Sequence, residues 1–372
     1  MGKLAARHLP GSIDYLEKLF KSHKVRWDSP AVREAVMGSV GQPAETVDCT
    51  MQAIVQDGYG SADVLRVARV ARPQIGEHEV LLRVRAAGLD RGAWHLMTGR
   101  PYVMRLGTGL RRPKNPVLGR EVAGTVVEVG SALTRFAVGD GVFGIGRGTF
   151  AEYAAARENK LARKPANITF EQAAVVSVSA LTALQALTDV GHVQPAQHVL
   201  VIGASGGVGS YAVQLAKALG AEVTGVCSTA KVDLVRSLGA DHVIDYTRHD
   251  FATTGHRYDL IVDIAGNPSP TRLRRALTPK GTAVIVGGEE GGNLTGGMDR
   301  QLRALTLSLF VGQRLTGVLC KERSADLERL AELIEAGKVA PSIDRTYPLA
   351  QVPDAMRHLV AGEIRGKVAI TV

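Results

Sequence analysis

A glycine cluster between an apolar segment and a helical segment constrains the fold of this chain more than any other feature. Residues 198–202 have an apolar, β-branched bias and run into Gly203-Ala-Ser-Gly-Gly-Val-Gly209, after which 211–219 shows helical spacing that ends at Gly220. This order predicts a strand, a tight turn and a helix, the first half of a βαβ unit. Small residues at such a turn let a dinucleotide pyrophosphate approach the backbone N–H groups of the helix N-terminus. The turn therefore predicts a dinucleotide site, with a purely structural turn as the alternative interpretation.

The residues after the second predicted strand, 222–227, indicate which dinucleotide the site prefers. An NAD enzyme normally places an acid about 20 residues after the turn, where it accepts hydrogen bonds from the ribose. This chain has Ser228, Thr229 and Lys231 there, and its first acid is Asp233. A carboxylate would repel a 2′-phosphate, whereas two hydroxyls and an ammonium group can bind one. NADPH is therefore the predicted cofactor, although a solvated lysine at a helix start is an alternative interpretation of Lys231.

Apolar periodicity predicts an α/β chain with two domains, because 372 residues exceed what one core usually organises. Six strands alternate with helical segments and predict a doubly wound parallel sheet; they are 198–202, 222–227, 242–246, 259–264, 282–286 and 314–319. Short strands separated by glycine- and proline-bearing turns predict a small, mostly antiparallel domain before them; they are 51–55, 64–68, 79–86, 116–124, 125–130, 138–143 and 148–154. The predicted divisions are an extension of unknown role at 1–48, a β-rich domain at 49–174 with 340–372, and a dinucleotide-binding domain at 175–339.

Composition is that of an ordinary globular protein, with 45% hydrophobic and 22% charged residues. No apolar run reaches the roughly 20 residues that span a bilayer, and the N-terminus lacks a signal-peptide pattern, so no membrane span is expected. Cys49, Cys227 and Cys320 lie far apart with no C-x-x-C spacing, which argues against a disulfide framework and a structural zinc. A reducing, cytoplasmic location is the expectation.

The net charge of +9 is concentrated in one segment rather than spread along the chain. Six basic residues and no acid occupy residues 100–120; the six are Arg100, Arg105, Arg111, Arg112, Lys114 and Arg120. Because aromatic residues are not interleaved apart from Tyr102, and no nucleic-acid module is visible, nucleic acid is not an expected partner. Steering of an anionic cofactor or substrate is one interpretation of this segment, and a solvated basic loop is the other.

Four motifs, taken in their order along the chain, resemble those of a known protein family. They are Gly-Arg-Glu-Val-Ala-Gly at 119–124, the glycine turn at 203–209, Leu-Gly-Ala-Asp-His-Val-Ile-Asp-Tyr at 238–246 and Arg-Gly-Lys-Val at 365–368. From about residue 51 to 372 the chain resembles the medium-chain dehydrogenase/reductase superfamily, in its zinc-independent, quinone-oxidoreductase-like branch. The resemblance implies a GroES-like catalytic domain and a Rossmann domain, with the nicotinamide in the cleft between them and usually a homodimer.

The sequence departs from the zinc alcohol dehydrogenases of this superfamily at both ligand motifs. Where those enzymes carry cysteine and histidine, this chain has Asp90 in Gly-Leu-Asp and Arg120 in Gly-Arg-Glu. Arginine is always protonated, and Asp90 alone cannot hold zinc, so no metal is expected. Hydride addition to a quinone or an α,β-unsaturated carbonyl spreads charge into a phenolate or enolate, which hydrogen-bond donors can stabilise without a metal.

The resemblance also implies roles for individual residues. Thr182 is similar to a threonine near the nicotinamide, and the turn, read as Ala204-x-Gly206-x-x-Gly209, would place Ser205, Gly207 and Val208 on the pyrophosphate. The remaining implied cofactor contacts are Ser228, Lys231 and Tyr246 at the 2′-phosphate ribose, Gly287, Phe310 and Val311 along the cleft, and Arg365 with Lys367 beside it. Asp90, where relatives often have asparagine, and Tyr102, where they often have a substrate-facing tyrosine, are the candidate catalytic residues. An aromatic residue packed on the surface is the alternative for Tyr102.

Two other functions stay open beside reduction of a quinone or enone. One is an enoyl-thioester reductase, for which the basic segment 100–120 would bind an anionic carrier. The other is an NADPH-binding interaction or sensor protein with little turnover.

Overall fold

The computed structural model describes residues 49–287 and 292–372, and the predicted extension at 1–48 lies outside the described residues. The strands in chain order are β1 Thr50–Val55, β2 Arg66–Ala71, β3 Glu79–Leu89, β4 Glu121–Val129, β5 Gly141–Ile145, β6 Tyr153–Arg157, β7 Leu161–Arg163, β8 His198–Ile202, β9 Glu222–Cys227, β10 His242–Asp245, β11 Tyr258–Asp263, β12 Leu277–Ile285, β13 Arg314–Gly317, β14 Ile343–Pro348 and β15 Lys367–Thr371. The α-helices are α1 Arg91–Thr98, α2 Arg105–Thr108, α3 Phe170–Ala174, α4 Ser177–Gln185, α5 Gly207–Ala218, α6 Val232–Ser237, α7 Pro270–Ala276, α8 Met298–Ser308, α9 Ser324–Glu335 and α10 Val352–Ala361. Within these ranges no helix has both the length and the apolar character needed to cross a membrane.

Six parallel strands form one sheet in the order β10-β9-β8-β11-β12-β13. Side chains alternate between the two faces of β8: Val199 and Val201 pack into one apolar cluster, and Leu200 and Ile202 pack into another on the opposite face. Both faces are covered, as parallel sheets require. The strand order reverses between β8 and β11, the place where doubly wound sheets bind ligands beyond the strand carboxyl ends. The predicted α/β class is confirmed.

A second sheet has the order β14-β15-β3-β4-β5-β7, and β6 pairs with β3. Its pairings are antiparallel except that of β14 with β15. The C-terminal strand β15 lies against β3, with Val368 opposite Leu89. This pairing brings the end of the chain beside the residues that follow β3.

The strand predicted at 116–124 begins later, at Glu121. Gly119 has a φ of +101°, which L side chains rarely adopt, and Pro116 has no N–H for a ladder hydrogen bond. Before the strand, Val117 forms an isolated antiparallel bridge with Val55, and Arg120 is the last residue before β4.

Candidate active site

A cleft of about 790 Å³ lies at the carboxyl ends of the parallel strands, beside the end of β3. It is lined by residues 89–92, 178–179, 202–203, 205–208, 226–228, 231, 246, 249, 251, 264–266, 268, 272, 359, 362, 364 and 366–368. The cleft therefore joins the glycine turn after β8 to the start of α1 and to the C-terminal segment.

The glycine turn shapes one wall of this cleft. Gly203 has a φ of +85°, and a Cβ on Gly209 would lie 2.1 Å from the carbonyl oxygen of Gly203. Ala204 is fully buried, and its N–H donates to the carbonyl of Val226 at 3.0 Å. Ala204 and Gly209 thus hold the turn in shape from behind, while Ser205, Gly206, Gly207 and Val208 line the cleft.

The start of α5 offers donors to an anion. Gly206 precedes the helix and provides no side-chain cap, so in the part of the chain that is described the first amides of α5, those of Gly207 and Val208, have no acceptor. Lys367 lies close by, because a Cβ on Gly207 would come within 3.0 Å of its Cδ. Free amides, a helix dipole and a nearby ammonium group together fit a pyrophosphate.

Lys367 is held by a buried carboxylate at the start of β4. Its Nζ lies 2.5 Å from Oε2 of Glu121, and the two side chains are 2% and 0% exposed. Oε1 of Glu121 accepts the N–H of Val178 at 2.8 Å. Burial raises the pKa of Glu121, and the Lys367 cation opposes that rise. The pair fixes Lys367 between the two sheets, within reach of the glycine turn.

The opposite end of the cleft is basic. Ser228, Lys231 and Tyr246, the three residues expected at the 2′-phosphate ribose, line it; their role stays a prediction. Lys231 is half-buried, and its Nζ donates to the carbonyls of Gly362 at 3.0 Å and Ile364 at 2.8 Å. Burial lowers the pKa of Lys231, and the nearby cation of Arg365 lowers it further.

Sequence reasoning missed two basic residues at this end, His249 and Arg272. The guanidinium of Arg272 lies 5.0 Å from the ring centroid of Phe251 and 2.8 Å from Asp250. His249 closely follows the predicted strand 242–246, so a search for basic residues just beyond the predicted strand ends would have found it; Arg272 lies further on, in α7, and carries no such signal.

Asp90 and Gly92 line the end of the cleft near α4. Asp90 is buried, and its Oδ1 caps α1 by accepting the N–H of Ala93 at 2.8 Å.

Thr182 is not a lining residue, and its hydroxyl donates to the carbonyl of the lining residue Val178 at 2.7 Å. Burial raises the pKa of Cys320, while Thr182 and the cation of Arg120 oppose the rise. Thr182, Cys320 and Arg120 therefore lie close together.

Eight predicted site residues are not among those that line the cleft: Thr182, Ala204 and Gly209, described above, and five others. Tyr102 is 41% exposed, and its backbone N–H donates to the carbonyl of Asn293 at 2.8 Å. Phe310 is 81% exposed, Val311 packs on the apolar cluster beneath α8, and Arg365 is exposed beside Lys231. Gly287 lies behind Ile264, since a Cβ on it would be 1.9 Å from the carbonyl oxygen of Ile264.

A buried ion pair supports the loops of the cleft from behind. Asp263, at the end of β11, lies 2.7 Å from the guanidinium of Arg300 on α8. Arg300 also donates to the carbonyls of Pro268 at 2.9 Å and Gly287 at 3.0 Å. Neither carboxyl oxygen of Asp263 receives a well-directed hydrogen bond from a described residue. Burial raises the pKa of Asp263 to about 6.

The zinc-ligand positions of the zinc dehydrogenases hold Asp90 and Arg120 here. Across residues 49–287 and 292–372, no three histidine, cysteine or acidic side chains come together as a metal site. Arginine is always protonated and does not ligate a metal, so these two positions do not supply the zinc ligands of those enzymes.

Comparisons with known proteins agree with this architecture. An alcohol dehydrogenase GroES-like domain model matches residues 76–166, and a zinc-binding dehydrogenase model matches residues 238–370. A mitochondrial NAD(P)H oxidoreductase of Mus musculus is 32% identical over 87% of this chain and 89% of its own length. A 2-methylene-furan-3-one reductase of Solanum lycopersicum is 32% identical, covering 93% of this chain and 84% of its own. The quinone oxidoreductase of Coxiella burnetii has a similar structure, with a TM-score of 0.77 and 27% identity over 87% of this chain and 99% of that one.

The fold, the cleft and these relatives define an oxidoreductase that uses a nicotinamide cofactor. The chain belongs to the medium-chain dehydrogenase/reductase superfamily, among its quinone-oxidoreductase-like members.

Proposed function

We propose that this oxidoreductase uses NADPH to transfer hydride to a quinone or an α,β-unsaturated carbonyl, without zinc. The charge of the cleft is the observation that supports NADPH as the cofactor. Its described lining holds the basic residues Arg91, Lys231, His249, Arg272 and Lys367, and Asp90 is its one acid. Asp90 lies at the end away from Ser228 and Tyr246, so no lining carboxylate stands where it would repel a 2′-phosphate.

The bound cofactor would supply the hydride, and the chain would supply its position. In this proposal the amides of Gly207 and Val208 hold the pyrophosphate with Lys367, and Ser228 with Lys231 hold the 2′-phosphate. The catalytic domain comprises 49–174 and 340–372, and the cofactor domain 175–339. Positioning of this kind accounts for much of the acceleration that an enzyme can provide.

Two relatives support the class of acceptor. The tomato relative is a reductase of a methylene furanone, and the Coxiella protein is a quinone oxidoreductase. Both substrates take up hydride so that charge is delocalised onto oxygen, which suits a site whose ligand positions carry aspartate and arginine.

The test compares the affinities of NADPH and NADH for the purified full-length chain by calorimetry. We expect NADPH to bind at least about tenfold more tightly, the equivalent of one charge-assisted contact of about 1.4 kcal/mol. Lys231→Met is expected to remove most of that difference. Lys217→Met is the matched control, because Lys217 pairs with Asp241 at 2.8 Å outside the cleft lining. Equal or tighter binding of NADH would reverse the cofactor assignment.

An enoyl-thioester reductase remains the second candidate, because Arg111, Arg112 and Lys114 are exposed and form no ion pair with a described residue. Such a surface can bind an anionic carrier. NADPH oxidation with quinones, enones and a crotonyl thioester separates the candidates, and tight NADPH binding without turnover of any acceptor indicates the sensor function.

We also propose a homodimer that forms beside β13. This strand is the last in the order of the parallel sheet, and α8 with the turn after it exposes Leu302, Leu305, Leu309 and Phe310. Sedimentation of wild type and Phe310→Asp tests the assembly; a wild-type monomer at micromolar concentration refutes it. We further propose a cytoplasmic location. All three cysteines lie within the described residues, and none of them forms a disulfide.

A further inference from the structure

We propose that Arg120 holds the carbonyl oxygen of the acceptor and stabilises the negative charge that develops there during reduction. This inference rests on the proposed function, and it assigns to a guanidinium the task that a Lewis acid performs in the zinc enzymes.

The backbone of Arg120 is fixed on both sides. Its carbonyl accepts the N–H of Gly146 at 2.8 Å. The preceding Gly119 is packed so closely that a Cβ would lie 2.5 Å from Oγ1 of Thr149. The following Glu121 is anchored by Lys367 and Val178. The side chain therefore starts from a rigid position between the two sheets.

The guanidinium reaches the end of the cleft that lies away from the ribose-phosphate residues. One terminal nitrogen lies 3.5 Å from the place where a Cβ on Gly92 would be, and Oδ1 of Asp90 lies 2.8 Å from the same place. Gly92 and Asp90 both line the cleft, next to Val178 and Ser179. A ligand that fills this end comes within reach of Arg120.

The ion pair of Arg120 orients the side chain without using all of its donors. One terminal nitrogen pairs with Oε1 of Glu322, and Lys160 pairs with Oε2 of Glu322 at 2.5 Å. Two cations share the Glu322 carboxylate, and Asp90 is the acid of the cleft lining that lies near the Arg120 guanidinium. Guanidinium has five N–H donors in a planar fork, and the remaining donors of Arg120 have no acceptor among the described residues.

The proposed chemistry balances with the proposed cofactor. Bound NADPH would supply a hydride to the β-carbon of an enone, the carbon–carbon π electrons would move toward the carbonyl, and the product would be an enolate with its charge on that oxygen. Arg120 donates a hydrogen bond to that oxygen, and a proton from solvent then adds to the α-carbon. NADPH, a proton and the enone thus give NADP⁺ and the saturated ketone. Because arginine stays charged throughout, the group strengthens its interaction as charge develops, which is what lowers a barrier.

The first experiment measures turnover of an enone and a quinone by Arg120→Met and Arg120→Lys, with NADPH affinity measured separately. We expect kcat to fall about 100-fold in Arg120→Met, as when one oxyanion donor is lost, and less in Arg120→Lys. The dissociation constant of NADPH should change less than twofold. Arg135→Met is the matched control, because Arg135 pairs with Glu328 outside the cleft lining, and its kcat should change less than twofold.

The second experiment does not depend on turnover. 4-Nitrophenol, a phenolate probe, is titrated by absorbance in the NADP⁺ complex of each variant. The wild type should hold the probe as phenolate at lower pH than Arg120→Met, by about one pH unit, because the cation favours the anion. Arg120→Lys should lie near the wild type and serves if the methionine variant fails to fold.

The outcomes separate the two proposals. If the wild type reduces no acceptor but shows the phenolate shift, the proposed reductase function is refuted. The proposed role of Arg120 in binding an anionic oxygen then still stands. A kcat within threefold of wild type in Arg120→Met, or a probe titration that the substitution does not move, overturns the role of Arg120.

Discussion

Removing Lys367 should destabilise the protein more than removing any exposed charge. The ammonium group and the Glu121 carboxylate are almost fully buried, and Nζ of Lys367 lies 2.5 Å from Oε2 of Glu121. The N–H of Val178 is the other donor to that carboxylate. Lys367→Met leaves the buried carboxylate without its partner cation, and loss of one partner of a buried pair costs about 3–5 kcal/mol. An exposed pair such as Arg66 with Asp57 should cost at most about 1 kcal/mol and provides the control.

The stability lost in Lys367→Met should depend on pH, and the raised pKa of Glu121 sets the direction of that dependence. Burial raises the pKa of Glu121 even with Lys367 present, so without Lys367 the carboxyl should bind a proton more strongly still. The folded variant then holds a proton that the unfolded chain has released. Stability of Lys367→Met should therefore be highest near the unfolded pKa of about 4.3 and fall as pH rises through the raised folded pKa.

Urea denaturation of Lys367→Met, Glu121→Gln and the double variant measures this at pH 5 and pH 8. The double variant should be more stable than either single variant, because neither charge is left unpaired. NADPH affinity is expected to fall about tenfold in Lys367→Met if the ammonium also reaches the pyrophosphate. A cost below about 1 kcal/mol, or single variants whose costs simply add, would refute the reasoning.

Three further predictions follow from the geometry. Gly209→Ala should abolish dinucleotide binding measured by calorimetry, because its Cβ would lie 2.1 Å from the carbonyl oxygen of Gly203; retained affinity would show that the turn can move. The stability of wild type relative to Asp263→Asn should fall by about 3 kcal/mol as pH rises from 4 to above 6, because the pKa of the buried carboxyl is raised to about 6; a flat difference in urea denaturation would contradict this. Tyr102→Phe should lower kcat on an enone several-fold if its hydroxyl donates to substrate, and unchanged kcat would place Tyr102 among surface aromatics.

Local sequence pattern was sufficient for the parallel sheet and the turn. A continuous apolar run at 199–202 and the glycines after it specify strand, turn and helix within about 20 residues, so no distant partner is needed to recognise them. The same locality explains why Ser228 and Lys231 were placed beside the cleft. The start of β4 was less well predicted, because the apolar pattern continues through Gly119, whose positive φ interrupts the strand.

Contacts between distant parts of the chain could not be read from the sequence. Glu121 and Lys367 are 246 residues apart, and Arg120 and Glu322 are 202 residues apart. Neither pair has a spacing that marks it, since each depends on how the two sheets pack. Resemblance gave positions for Tyr102 and Phe310 but not the direction of their side chains, and neither lines the cleft.

The contacts of Lys231 bear on two interpretations that the sequence left as alternatives, a phosphate-binding lysine and a solvated lysine at a helix start. An ammonium group has three N–H donors, and two of them are used on the carbonyls of Gly362 and Ile364. Lys231 is therefore not a solvated lysine, because it fastens the segment that forms one wall of the cleft. That segment is fastened again where the N–H of Gly366 donates to the carbonyl of Ser205 at 2.8 Å, inside the glycine turn. The third donor of Lys231 remains for a phosphate, so a 2′-phosphate would add a contact to a side chain that is already held in place and would lose little entropy in binding it.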